Sequence, residues 1–88
     1  MTTEQFNERF EKCIRQSIYG FTCPLTDKKR VIEDLGADAL DIVELAMEFE
    51  EEFDITLVED DVNACVTVGD YRRLVKDNLG DRISDESK

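Results

Sequence analysis

The stretch Asp38-Ala39-Leu40-Asp41-Ile42-Val43-Glu44-Leu45-Ala46-Met47-Glu48-Phe49-Glu50-Glu51-Glu52-Phe53 decides how this chain is read. Asp38 with Asp41 three residues later predicts a helix start, and the apolar residues beyond it recur at helical spacing. With a turn of about 100° per residue, three arcs separate. Ile42, Leu45, Ala46, Phe49 and Phe53 share one, an ordinary core stripe. Asp41, Glu44, Glu48, Glu51 and Glu52 fill a second. Leu40, Val43 and Met47 form a third, turned away from the core, with Ala39 and Glu50 beside it. A helix of a small bundle needs only one apolar stripe. The surplus stripe is either covered by another segment or open to a partner. Met47, a side chain that adapts to several shapes, and the acidic rim favour docking.

Outward from this helix, Thr2 to Ile18 reads as a first one. Thr2 and Gln5 fit a capping box, and Phe6, Phe10, Cys13, Ile14 and Ile18 recur at helical spacing. Gly20, Pro24 and Thr26-Asp27 break the pattern. A long connection then runs to Asp38, with a basic run, Lys28-Lys29-Arg30, and the apolar anchors Val31, Ile32 and Leu35. Glu59 to Ala64 leaves room for one or two turns. Thr67-Val68-Gly69-Asp70 is another capping sequence, opening a last helix through Tyr71, Leu74, Val75 and Leu79, with Gly80 placed to end it. The expected fold is all-α: a small four-helix bundle over residues 1–80, with three main helices, a short third one and a long first loop. Residues 81–88 are expected to fray as a polar tail.

Composition excludes several functions. The 88 residues hold 11 Lys+Arg against 22 Asp+Glu, a net charge of −11, and no His. Length allows one domain. Nucleic acid is not expected as a ligand, because binding it depends on basic side chains neutralising phosphates. The lack of His removes most general acid–base chemistry, so no enzyme and no catalytic residue is expected. Cys13, Cys23 and Cys65 fit no zinc pattern, and their odd number argues against a disulfide framework. No apolar run is long enough to span a membrane, and the polar Met1-Thr2-Thr3-Glu4-Gln5 does not look like a signal peptide, so a cytoplasmic protein is expected. Between Val31 and Tyr71 lie 14 acidic residues and no Lys or Arg. Such a block is a solvated face or a surface for basic partners, and crowding within it is expected to raise carboxylate pKa values. A calcium loop needs Gly at its sixth position; from Asp34 that position is Ala39 and from Asp54 it is Glu59, so no metal site is expected.

Asp34-Leu35-Gly36-Ala37-Asp38-Ala39-Leu40-Asp41, then Val43-Glu44-Leu45, Met47 and Glu50-Glu51-Glu52-Phe53-Asp54-Ile55, closely resembles the acyl carrier proteins. The resemblance runs from about Ile32 to Asp70. It implies a bundle without enzymatic activity that carries acyl intermediates as thioesters on a 4′-phosphopantetheine arm and delivers them to lipid or polyketide biosynthetic enzymes, most like the fatty acid type. In the family the arm is joined to the serine of an Asp-Ser-Leu triplet, which matches position 39. Here that position is Ala39, and a methyl group cannot attack the phosphate of coenzyme A. Two histories compete: an engineered Ser→Ala form of a carrier, favoured because everything around position 39 is intact, or a natural non-carrying relative acting as an acidic interaction or regulatory module.

The resemblance also implies partners: a phosphopantetheinyl transferase and basic-surfaced acyl-transfer or synthase enzymes, met by a monomer. Wheel and resemblance together make Asp38, Leu40, Asp41, Val43, Glu44, Met47, Glu50 and Glu51 the expected docking residues, extended by Glu59 and Asp60. An acyl cavity is expected among Leu45, Ala46, Phe49, Leu57 and Val62.

Overall fold

The computed structural model describes residues 1–83. Helix α1 spans Thr3–Ser17, α2 Ala39–Phe53, α3 Glu59–Asn63 and α4 Val68–Leu79, followed by a 3-10 turn, Gly80–Arg82. The three long helices each begin with a reciprocal capping box: Thr2 with Gln5, Asp38 with Asp41, and Thr67 with Asp70. Two of the otherwise unpaired backbone N–H groups at each start are satisfied in this way. The all-α four-helix expectation holds.

Periodic aromatics on α1 and α2 make the core. Phe10 and Phe49 stack face to face, with centroids 5.0 Å apart and planes 2° from parallel. Phe6 lies 5.8 Å from Phe10 and 5.4 Å from Phe53, and Tyr71 of α4 reaches Phe49 at 6.4 Å. Cations cover the outer ring faces: Arg72 stands 4.7 Å from the Phe10 centroid and Arg9 5.1 Å from that of Phe53.

The second half of the long connection is fixed. Val31 and Leu35 are buried, and Val31 N–H donates to Val66 C=O at 2.9 Å, while Val68 N–H donates to Lys29 C=O at 2.8 Å. These bonds lash the first loop to the α3–α4 link. Gly69 allows a close approach there: a Cβ would lie 3.0 Å from Asp27 Cβ and 3.1 Å from its carbonyl oxygen, so Asp27 would have to give way. Gly36, at φ +81°, turns the chain into α2 in a conformation that side-chain-bearing residues avoid.

Two expectations need correction. The frayed tail does not begin at Asp81: Arg82 donates to the carbonyls of Phe53 and Asp54 at 3.1 and 3.0 Å, and its own carbonyl accepts from the Met1 amino group at 2.9 Å. A basic group thus reaches the C-terminus of α2, whose last turn has none of its own. Residues 84–88 lie outside the described residues. Nor is the acidic block uncompensated. Glu52 pairs with Arg9 at 2.7 Å, with Lys12 at 4.0 Å, and Arg30 holds Glu33 at 2.6 Å and Asp34 at 4.0 Å. Sequence distance hid Arg9 and Lys12, which folding brings in, whereas Arg30 borders the block and reaches it within one turn.

Asp70 moves opposite to the expected rise. Its carboxylate accepts from the N–H groups of Val66 and Thr67 at 2.9 and 3.1 Å, which holds its pKa below the ordinary 3.8. A lowered carboxylate contributes stability that is complete above its unfolded value and disappears as pH falls through the folded one. Asp70→Asn should therefore lose stability at neutral pH, and its deficit relative to the parent should shrink in acid below the ordinary carboxylate value. Urea denaturation at neutral and acidic pH checks this; a deficit independent of pH would show that the charge is not what matters.

Candidate functional site

The α2 start is a rigid platform. Asp41 N–H donates to Asp38 Oδ1 at 2.9 Å, and Asp38 N–H donates to Asp41 Oδ2 at 3.2 Å. Ala39, the first residue of the helix, is exposed directly beside this box. Just behind it, Ala37 is buried and Leu35 anchors the incoming chain.

The surplus apolar stripe is open. Leu40 is 65% exposed, Val43 54% and Met47 55%, so the long connection does not cover them. Of the core stripe, Leu45, Phe49 and Phe53 are buried while Ile42 and Ala46 are half-buried. Asp38, Glu44, Glu51, Glu59 and Asp60 are exposed around the apolar patch, and Asp41 is half-buried in the capping box. Glu50 differs from the expected free rim charge: one of its carboxylate oxygens accepts Leu57 N–H at 2.8 Å, fixing the α2–α3 link.

A cleft of about 200 Å³ opens between α2 and α3, lined by Ala46, Leu57 and Val62 together with Ile42, Val43 and Met47. Three of the five residues expected around an acyl chain, Ala46, Leu57 and Val62, line this cleft. Leu45 and Phe49 do not line this cleft; both are fully buried, and Phe49 is occupied by its stack on Phe10. The wheel could not separate residues facing α1 from residues facing α3, since it assigns both to one apolar arc. Ile32, expected to anchor the first loop together with Val31 and Leu35, is instead 58% exposed, and Val58, equally exposed, is a further apolar surface residue.

The thiols are unpaired. Burial pushes Cys13 up to about 12 and Cys65 up to about 11, so neither is a thiolate at neutral pH. Among the described residues no group of three or more Cys, Asp or Glu side chains is arranged to hold a metal ion. Among the described residues, too, no helix is long and apolar enough to cross a membrane.

Comparison with known proteins bears on this surface. A family profile described as a phosphopantetheine attachment site matches residues 21–75. The chain is 42% identical over 73 residues to the acyl carrier protein of Phenylobacterium zucineum, covering 83% of this chain and 92% of that one. It is 32% identical over 79 residues to the acyl carrier protein of an Exiguobacterium species, covering 90% of this chain and 100% of that one. A solved structure from Mycobacterium tuberculosis, described as a candidate acyl carrier protein, matches with a TM-score of 0.64 at 30% identity, covering 82% of this chain and 90% of that one.

The residues present do not fit covalent attachment of a phosphopantetheine arm at this platform. Ala39 offers a methyl group, and Asp38, Leu40 and Asp41 carry no hydroxyl. The surface is accessible and pre-formed; the nucleophilic oxygen is missing.

Proposed function

The chain belongs to the acyl carrier protein family, whose prosthetic group is 4′-phosphopantetheine and whose members are carriers rather than enzymes, and from that premise we propose that the exposed face of α2 is the surface by which basic-surfaced partner enzymes recognise it. The single observation that carries this reading is the exposure of Leu40, Val43 and Met47 within an acidic rim. Three large apolar side chains left in water on one helix face, ringed by one sign of charge, favour a partner with a complementary basic patch. Asp38, Asp41, Glu44, Glu51, Glu59 and Asp60 steer that patch, and Glu50 keeps one carboxylate oxygen for it. The partners are a phosphopantetheinyl transferase and acyl-transfer or synthase enzymes of fatty acid, other lipid or polyketide biosynthesis, met in the cytoplasm by a monomer.

As it stands, the chain docks and does not load. We favour a Ser→Ala form of a carrier, because the capping box, Leu40 and the apolar face around Ala39 are all kept. In the serine form the cleft lined by Ala46, Leu57 and Val62 would shelter the cargo, with Leu45 and Phe49 as the packed wall behind it. The second reading, a natural relative that docks without cargo, rests on Ala39 itself, and the residue encoded at position 39 in the gene decides between them.

Docking is tested by binding kinetics with a phosphopantetheinyl transferase. Rim charges act mainly on association and its salt dependence, whereas a central apolar anchor acts on dissociation. Reversing Asp41 and Glu44 to Lys should slow association at low salt and flatten the salt dependence. Met47→Ala should speed dissociation about 5- to 30-fold, as loss of a contact worth roughly 1–2 kcal/mol would. Parent-like kinetics from both variants, with folding intact, would remove α2 as the interface.

A further inference from the structure

The basic run Lys28-Lys29-Arg30 has no part in the docking face, and folding sets it beside further cations. Val68 N–H donates to Lys29 C=O at 2.8 Å and Gly69 N–H to Asp27 C=O at 3.0 Å, which seats this stretch of the first loop on the start of α4. From Gly69, the residues Arg72, Arg73 and Lys76 follow at helical spacing along one face of α4. A groove of about 400 Å³ lies there, lined by Asp27, Gly69, Arg72, Arg73, Lys76 and Asp77. In a chain of net charge −11, it gathers three cations against two carboxylates.

Arg72 is held in place within the protein. Its guanidinium lies 4.7 Å from the Phe10 centroid, and its side chain is only 17% exposed. Nε donates to Asp27 Oδ1 at 2.9 Å and Nη1 donates to Asn7 Oδ1, while Nη2 has no acceptor among the described residues. Arg73 and Lys76 are exposed, and among the described residues neither forms an ion pair.

We propose that this groove binds the phosphate group of a small molecule, held as a dianion by Arg72, Arg73 and Lys76. A phosphate monoester presents three acceptor oxygens on one tetrahedral centre and carries close to two charges at neutral pH. The three side chains lie within little more than one turn of α4, so their donors converge on such a group, the two guanidiniums through planar forks. A carboxylate offers one charge and two oxygens, and Asp27 already fills that part for Arg72. The rest of the molecule decides the size of the ligand. Its net charge repels anions at long range, whereas the groove attracts within a Debye length, about 8 Å at physiological ionic strength. A small phosphate meets the local field alone. An acidic protein or an anionic lipid surface, being extended, meets the net repulsion as well. The site is separate from the α2 docking face and does not rest on that reading.

The test is a nuclear magnetic resonance titration of the full chain with methyl phosphate at neutral pH, beside succinate and sodium chloride at matched ionic strength. Methyl phosphate should give saturable shifts centred on Arg72, Arg73 and Lys76, and should bind at least about threefold more tightly than succinate. Arg73→Gln, at an exposed position, should weaken binding about three- to tenfold. Asp27→Asn, which keeps an acceptor for Arg72 Nε, and Asp77→Asn each remove an opposing carboxylate and should tighten it about two- to threefold. Lys12→Gln, which removes a cation beside Glu52, should leave the affinity unchanged. Vesicles of phosphatidylcholine with phosphatidic acid should retain no more of the chain than phosphatidylcholine alone. Shifts that follow ionic strength only, equal affinity for succinate, or an affinity unmoved by Arg73→Gln and by both carboxylate substitutions would overturn the site. Retention on the phosphatidic acid vesicles without saturable methyl phosphate shifts would overturn it too, since the ligand would then be a lipid surface.

Discussion

Ala39→Ser is expected to change a chain that coenzyme A and a phosphopantetheinyl transferase leave at its own mass into one that gains the arm quantitatively. The effect is all-or-none because the deficit is chemical, not conformational. Asp38 and Asp41 already close the capping box, Ala39 is exposed at the first turn, and Gly36 and Leu35 already set the approach of the chain. A serine hydroxyl at this position adds one oxygen to a finished platform and disturbs no packing, so stability should change by no more than about 0.5 kcal/mol. Mass spectrometry of the intact protein reads the outcome. An adduct on the parent would overturn the account of position 39. Refusal by the serine variant with several transferases would favour the non-carrying relative, with its surface kept for docking alone.

Phe49→Ala should come close to unfolding the protein. Phe49 is fully buried, parallel to Phe10 at 5.0 Å and within 6.5 Å of both Phe53 and Tyr71, so it joins α1, α2 and α4. Truncating such a ring costs about 3–5 kcal/mol, against a total of about 4–13 kcal/mol expected for a chain of this length. Met47→Ala, two residues away in sequence and 55% exposed, should by contrast shift stability by no more than about 0.5 kcal/mol. Urea denaturation of the two variants measures the difference. Equal midpoints would mean that the aromatic stack is not the centre of the core. A small loss for Phe49→Leu beside a large one for Phe49→Ala would assign the effect to volume rather than to ring stacking.

The cleft marks the limits of periodicity as a guide. Phe49 and Ala46 lie in one arc of the helical wheel, yet one is consumed by α1 and the other opens toward α3. Arg9 and Lys12 are some forty residues from Glu52 in sequence, so charge counting along the chain left the acidic block bare.

The sequence by itself determined the local events. Three capping boxes, the helix spans, the stop at Gly80 and the existence of a second apolar stripe on α2 follow from spacing and from which side chains can reach which backbone groups, and these act over three or four residues. It also determined that position 39 has no hydroxyl, a fact no fold can alter. Only the tertiary structure decided that the second stripe stays open, that Glu52 and one oxygen of Glu50 are engaged inside the molecule, that Arg82 closes the end of α2, and that the Ser17 hydroxyl is buried unpaired. Each of these depends on what a distant segment covers or brings near, and burial and pairing are properties of the packed chain rather than of any stretch of it.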